Sequence, residues 1–356
     1  MRLTILGAGA VGPGAGTLAA SRGHAVTIWS PSGAGTVGLE ALRAEGVLEG
    51  DFPLRVVADL AEALEGAEAA LLAVPAYAFA HLLPAIAAAL PLDTPLLIAP
   101  AASLAPLVLE RLMAHRGPRA PVGAMATTPL GGRRLAPGRV RVAMLRSALE
   151  IAAIPAAAAP AMAALAHELF GNEYLPSPDA LQVALINANP IIHAALALTN
   201  LTRIEHQEAW PQYGMMTEGA CRLMEAMDTE RAMLALAYGH TIPSIATALH
   251  RANQVPIGPV AEMSQQIAAG RGAVLGPTEI TSRYITEDVP FGLAFYLALA
   301  RAKHLHMPIT QAVVVALEAS CGAPLSHNPL LSGMDWAGLR EALRDGLNRV
   351  DSSAPR

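Results

Sequence analysis

The pattern of apolar and polar positions changes character once along the chain. In the first half, short apolar runs read as strands: Arg2 to Leu6, Ala25 to Trp29, Leu71 to Val74 and Leu96 to Ala99. Between them, a small-residue stretch ending at Ser21, a segment from Leu39 to Glu45 and Phe79 to Leu90 carry helical spacing. Parallel strands need a crossover, usually a helix, so this alternation predicts a parallel α/β sheet. Beyond residue 122 it loosens, with strands over Val122 to Ala126 and Arg139 to Leu145 and a helix over Ala161 to Phe170. Gly171-Asn172 and Pro176-Ser177-Pro178 then break the pattern and mark a domain boundary. From Asp179 onward strand signals fade. Ala180 to Thr202, Thr217 to Tyr238, Ile242 to Ala252, Phe291 to His304 and Thr310 to Ala319 read as helices, with Pro190 kinking or starting one. Asp228 to Leu236 shows mixed charge on one side and Met, Leu and Ala on the other, as a half-buried helix does. The tail 351–356 is expected to fray.

Gly7-Ala8-Gly9-Ala10-Val11-Gly12 follows the first strand and opens the first helix. Gly7 permits a tight turn, Gly9 lets the backbone approach a pyrophosphate, and Gly12 lets helix and strand pack closely. The helix N-terminus supplies free N–H donors for the phosphates. The motif predicts a Rossmann-type α/β domain over 1–177, holding NAD or NADP through Gly7, Gly9, Ala10, Val11 and Gly12, and an all-helical domain over 178–356. The second strand ends Trp29-Ser30-Pro31-Ser32, without the carboxylate that binds the ribose hydroxyls of NAD. Ser30 and Ser32 leave two hydroxyls and no repulsion toward a 2′-phosphate, which favours NADP. Val74-Pro75, at the carboxyl end of a strand, is expected to line the nicotinamide side.

Length and charge bound the remaining possibilities. The chain has 356 residues, enough for two domains, and is 53% hydrophobic and 15% charged, which excludes disorder. A net charge of −5 without a basic run argues against a nucleic-acid partner. Ala69 to Leu92 lacks formal charge, but its prolines and His81 make it strand, loop and buried helix rather than a membrane span. No leader pattern follows Met1, and Cys221 and Cys321 form no disulfide or metal pattern, so a reducing, cytoplasmic setting is expected. No third ligand joins His304 and His306, and no metal is predicted. Lys303 is the sole lysine. Ketopantoate reductases and glycerol-phosphate dehydrogenases open with a similar segment but generally place an active-site lysine in the second domain. Here Lys303 sits late in an apolar helix, where it reads as snorkelling to solvent.

Three segments of the second half carry more chemistry: Asn187-Ala188-Asn189-Pro190-Ile191-Ile192-His193, Asp228-Thr229-Glu230-Arg231, and Arg283 to Gly292 with its Arg-Tyr-Ile-Thr-Glu-Asp. With the opening motif, their order and spacing resemble the NAD/NADP octopine/nopaline (opine) dehydrogenase family across nearly the whole chain. The resemblance implies a Rossmann domain joined to a helical domain, the latter with a 6-phosphogluconate-dehydrogenase-like arrangement. It also implies reversible reductive joining of an amino acid to a 2-oxo acid, commonly pyruvate. His193 takes the position of the catalytic histidine, Asp288 that of its carboxylate partner, and Arg283 that of the arginine gripping a substrate carboxylate. A histidine titrating near neutrality suits proton transfer at the departing carbonyl oxygen, and a carboxylate fixes its tautomer. Asn189, one helical turn before His193, is placed on the same face as a substrate or nicotinamide contact, and Glu287 is read as structural.

Thr128 and Arg133 are expected in a substrate-facing loop after a strand. Ala99-Pro100-Ala101 and Gly123-Ala124 depart from the family's pattern, and the lost carboxylate disfavours a cationic amino acid. Helical second domains often pair in such enzymes, so a homodimer is expected. Two further readings stay open: another 2-oxo-acid or imine reductase on this scaffold, and a non-catalytic NADP(H)-binding sensor.

Overall fold

A computed structural model of the chain describes residues 1–36, 38–271 and 274–347; the tail 351–356 lies outside the described residues. The chain divides into two units, Met1–Ala184 with the described residues from Gly338 on, and Leu185–Ala337.

The strands of the first unit are, in chain order, β1 (Arg2–Leu6), β2 (Ala25–Trp29), β3 (Ala41–Gly46), β4 (Gly50–Pro53), β5 (Arg55–Val57) and β6 (Ala69–Leu72). They continue with β7 (Leu96–Ile98), β8 (Val122–Met125), β9 (Leu130–Ala136), β10 (Arg139–Leu145), β11 (Ala148–Ile154) and β12 (Glu173–Pro176). Its helices are α1 (Gly12–Ser21), α2 (Leu60–Leu64), α3 (Phe79–Ala89), α4 (Ala105–Met113) and α5 (Ala159–Phe170). An eight-stranded sheet runs β12-β11-β8-β7-β6-β1-β2-β5, parallel except where β11 meets β8. A parallel sheet is buried on both faces, so its strands are apolar throughout rather than alternating. All four residues of β6 are fully buried, and Thr4 in β1 offsets its burial by donating from Oγ1 to Ala63 O at 2.6 Å. The uncharged stretch from Ala69 is therefore β6 and the buried face of α3, as its prolines suggested.

A second sheet, β4-β3-β10-β9, overturns one expectation. The segment from Leu39 to Glu45 is no helix: residues 41–46 form β3, antiparallel to β4 and parallel to β10. Ala, Leu, Arg and Glu favour helices locally, but Leu42 and Ala44 alternate inward at 2% and 3% exposure and pairing on both edges prevails. Arg133, expected in a loop, lies within β9 of this sheet.

The helix α6 (Ala180–Ile186) contains the division between the units, downstream of the predicted 177/178 boundary. The second unit holds α7 (Asn189–Thr199), α8 (Leu201–Glu205), α9 (Glu218–Ala237), α10 (Ile245–Asn253), α11 (Val260–Arg271), α12 (Arg283–Thr286), α13 (Ala294–Ala302) and α14 (Pro308–Cys321). The predicted helical domain over 178–356 needs correcting at its far end. The described residues 338–347 belong to the first unit, where α15 (Leu339–Asp345) buries Leu339 and Leu343 beside β11. Amphipathic spacing shows that one face is covered, not what covers it.

Residues 180–199 are long and apolar enough to cross a membrane, with mean hydropathy 1.5, but the run is 72% buried inside the protein and breaks at Asn187-Ala188. The predicted faces of α9 are also corrected. Its buried stripe includes Asp228 and Arg231, whereas Met233 and Leu236 are exposed. Cys221 is buried and free, and burial pushes its thiol up to about 11; Cys321 is partly buried and also free. Lys303 is exposed, its Nζ 4.9 Å from the centroid of the Tyr238 ring.

Candidate active site

The glycine motif folds as its spacing requires. Gly7 has φ +127°, and a Cβ there would lie 2.5 Å from Ala73 O and 2.8 Å from Val74 Cγ1, so Val74 sits against the turn. A Cβ on Gly12 would collide with Gly7 O, whereas one on Gly9 would meet nothing within 4 Å. Gly9 and Ala10 are exposed immediately before α1, with Val11 at its N-cap. Closed packing at Gly7 and Gly12 with open space at Gly9 is the arrangement a dinucleotide needs, and these residues fit NAD(P). Pro75 follows Val74 and leads into a short 3-10 turn, Ala76–Ala78.

At the end of β2, Ser30 O accepts from Gly33 N at 3.1 Å and Ser32 Oγ accepts from Ala34 N at 3.3 Å. The loop therefore coils on itself and carries no carboxylate before Glu40. Thr128 donates its hydroxyl to Leu130 O at 2.7 Å, and Arg133 is exposed. Gly123 and Ala124 are buried in β8, where a Cβ on Gly123 would lie 2.7 Å from Leu97 Cδ2 and 2.8 Å from the Met162 side chain. Both are core positions, so the charge of an amino-acid substrate is not legible from them.

In the second unit, His193 and Asp288 meet although 95 residues separate them. Nδ1 of His193 lies 2.8 Å from Asp288 Oδ2, with the side chains only 10% and 8% exposed. An ionised Asp288 accepts the Nδ1 proton, which leaves Nε2 as the second ring nitrogen, unpartnered among the described residues. Tyr284 stacks flat on the imidazole, centroids 3.7 Å apart and planes 7° apart, and donates from its hydroxyl to Gln212 Oε1 at 2.5 Å. Burial raises the Tyr284 phenol, which stays neutral and acts as a rigid wall.

Both carriers are helix starts shaped by proline. Pro190 stands at the beginning of α7, where its missing N–H costs little. After α12 the chain makes one π turn, Val289–Leu293, with Asp288 at its N-cap and Pro290 within it. Gly292 in that turn packs directly on Pro190: a Cβ there would collide with Pro190 Cβ and Cγ. The close approach of Gly292 to the Pro190 ring thus holds together the two segments that carry His193 and Asp288. Gly292→Ala is expected to cost about 1–3 kcal/mol through overpacking and to lower kcat, measured by thermal denaturation beside steady-state kinetics.

Arg283 opens α12 and is exposed, with Nε 4.0 Å from Glu287 Oε2, a contact too long and too wet to lock it. Asn189 is exposed at the first position of α7, its backbone N–H donating to Asn187 Oδ1 at 3.1 Å. The second unit therefore brings His193, Asp288, Arg283 and Asn189 onto α7 and α12 with the turn that follows. Thr128 and Arg133 belong to the first unit.

Sequence reasoning missed the support behind this pair. Arg231, fully buried, donates to Asp228 Oδ1 through Nε at 2.9 Å and Nη2 at 2.6 Å. Its Nη1 reaches the carbonyls of Leu185 at 2.5 Å and Ile186 at 3.1 Å, and the Tyr296 hydroxyl donates to Asn187 O at 3.0 Å. The carbonyls left free where α6 stops, just before α7, are thereby satisfied. Glu230 accepts from the N–H groups of Ile309 and Thr310 at 2.8 and 2.9 Å and caps α14. The charge mixture of Asp-Thr-Glu-Arg was a visible signal; for Gln212 there was none.

Comparison with known proteins bears on the two domains. Residues 176–321 match the family NAD/NADP octopine/nopaline dehydrogenase, alpha-helical domain, and residues 2–100 match NAD-dependent glycerol-3-phosphate dehydrogenase N-terminus. An opine dehydrogenase of Arthrobacter sp. (strain 1C) is 26% identical over 302 residues, covering 82% of this chain and 83% of that one. Among solved structures, an octopine dehydrogenase with NADH and L-arginine superposes with a TM-score of 0.73 at 18% identity, covering 90% of each chain. Yersinopine dehydrogenase with NADP+ bound gives 0.72 at 16% identity over 98% of each. With an N-terminal Rossmann-like sheet domain and a helical domain that matches the octopine/nopaline dehydrogenase type, this chain is an NAD(P)-dependent oxidoreductase similar to opine dehydrogenases.

Proposed function

We propose that the protein catalyses the reversible, NADPH-favouring condensation of an amino acid with a 2-oxo acid, pyruvate foremost, to an N-(carboxyalkyl) amino acid. The observation that carries this reading is the buried His193–Asp288 pair, with an imidazole nitrogen that has no partner among the described residues. The amine adds to the keto carbon, and the carbonyl oxygen must leave as water. Protonated His193 gives that oxygen its proton, and neutral His193 takes one back in the reverse direction. Asp288 steadies the imidazolium and holds the tautomer, while Tyr284 fixes the ring plane. Loss of that water leaves an iminium ion, and NAD(P)H, when bound, would supply the hydride that makes it a secondary amine.

Arg283 grips a substrate carboxylate through its guanidinium fork, since Glu287 does not hold it. Asn189 adds a polar contact from the same helix as His193, and Thr128 and Arg133 are assigned to substrate from the first unit. The glycine loop, with Val74 and Pro75, holds the dinucleotide, and Ser30 and Ser32 attend its adenosine ribose. We place the enzyme in the cytoplasm, where its two free thiols stay reduced.

One assay tests the reading: NADPH oxidation with pyruvate alone, with each of a panel of amino acids alone, and with both. Oxidation is expected only with both. Turnover on pyruvate alone would instead indicate a hydroxy-acid dehydrogenase, and silence under every pairing a cofactor sensor.

A further inference from the structure

The loop after β2 lacks an acidic residue, yet it also lacks a nearby arginine of its own to receive a 2′-phosphate; Arg43 is the first, and it lies in β3. The second sheet brings one from elsewhere. Strand β9 packs against α1, with Leu130 filling the space beside Gly14: a Cβ on Gly14 would lie 2.9 Å from Leu130 Cδ1. Side chains alternate along a strand, so Leu130, Gly132 and Arg134 share a face and Arg133 takes the other. Arg134 thereby reaches back to the glycine motif, donating from Nη1 to Ala8 O at 3.0 Å.

Its guanidinium also lies directly against Gly35, where any Cβ would collide with Nη1. Gly35 has φ +80° and follows the Ser30–Gly33 turn, so the loop after β2 has curled back onto the glycine motif with Arg134 beside both. In this class of fold the adenosine ribose is held between these two segments. Among the described residues Arg134 has no acidic partner, and four of its five N–H donors remain after the bond to Ala8 O. An unpaired cation with spare donors, next to two serines and no carboxylate, suits a dianionic phosphate.

We propose that Arg134 is the cation that holds the adenosine 2′-phosphate of NADP. This assignment rests on the reading that NADPH is the favoured cofactor. The side chain comes from a strand some hundred residues beyond the motif it serves (on the order of a whole domain away in sequence). For that reason the absence of an arginine just after Ser30 does not argue for NAD.

Equilibrium binding separates the two ideas without turnover. Dissociation constants for NADPH, NADH, 2′,5′-ADP and 5′-AMP are measured by calorimetry on the full chain, for the wild type, Arg134→Ala and Arg134→Lys. The expected result is tighter binding of NADPH than of NADH by the wild type. Arg134→Ala then loses about tenfold or more for NADPH and 2′,5′-ADP, the size of a charge-assisted contact. NADH and 5′-AMP should be unaffected, which also shows that the variant is folded. Arg134→Lys should recover part of the loss. If Arg134→Ala keeps the full preference for NADPH, or weakens all four ligands equally, the Arg134 assignment is overturned and the NADPH reading survives. A wild type that binds NADH as tightly as NADPH overturns the reading and the assignment together.

Discussion

His193→Ala should reduce turnover by about 10²–10⁴-fold while leaving the NADPH dissociation constant unchanged. The two observables separate because the residue lies in the second unit, whereas the glycine loop lies wholly in the first. Asp288→Asn should fall in the same range of kcat without changing the fold. Its amide is nearly isosteric and still bonds Nδ1, but it neither stabilises the imidazolium nor enforces the same tautomer. The 15N chemical shifts of the two ring nitrogens, measured by NMR, would report that tautomer directly. Unchanged turnover in His193→Ala would show that another group supplies the proton and would remove the central assignment. A loss of kcat that tracks an equal loss of NADPH affinity would show instead that the substitution disturbs folding.

How much of this was legible beforehand follows from the range of the interactions involved. The glycine turn was readable because Gly7, Gly9 and Gly12 are local requirements of one strand–turn–helix unit. His193 and Asp288 were readable only through their resemblance to a known family, since spacing alone does not bring together residues 95 apart. The strand β3 was misread because propensity is a weak prior, and the pairing that overrides it comes from β4 and from β10, far downstream. On α9 the three-four spacing of buried positions is intact, but the stripe includes an ion pair. A hydropathy reading turns such a helix over, exposing Met233 and Leu236 where it would have buried them. Tyr284 lies within the Arg-Tyr-Ile-Thr-Glu-Asp segment, yet its role depends on the ring it stacks on. Arg134 is the neighbour of Arg133 on β9 and takes the opposite face, and no local pattern separates the two.

The buried pair on α9 gives the largest expected effect on stability. Arg231→Met should destabilise the protein by about 3–5 kcal/mol, because it leaves Asp228 charged and buried without its partner. It also strands the carbonyls of Leu185, Ile186 and Pro243, which the guanidinium satisfies together. Asp228 has a second duty, accepting from Ile245 N at 2.8 Å at the start of α10, so removing either partner loosens two helix ends. The substitutions Asp228→Ala and Arg231→Met should therefore each be costly, and their combination should cost less than the two together. Once Arg231 is gone, Asp228 is a liability as much as a cap. Urea denaturation of the four proteins of that cycle measures the coupling. A strictly additive cycle would mean that the pair is not an energetic unit and that the carbonyls at the end of α6 find other donors. If the coupling is large, the same arginine that stabilises the helical unit also fixes where α7 begins, and hence where His193 stands.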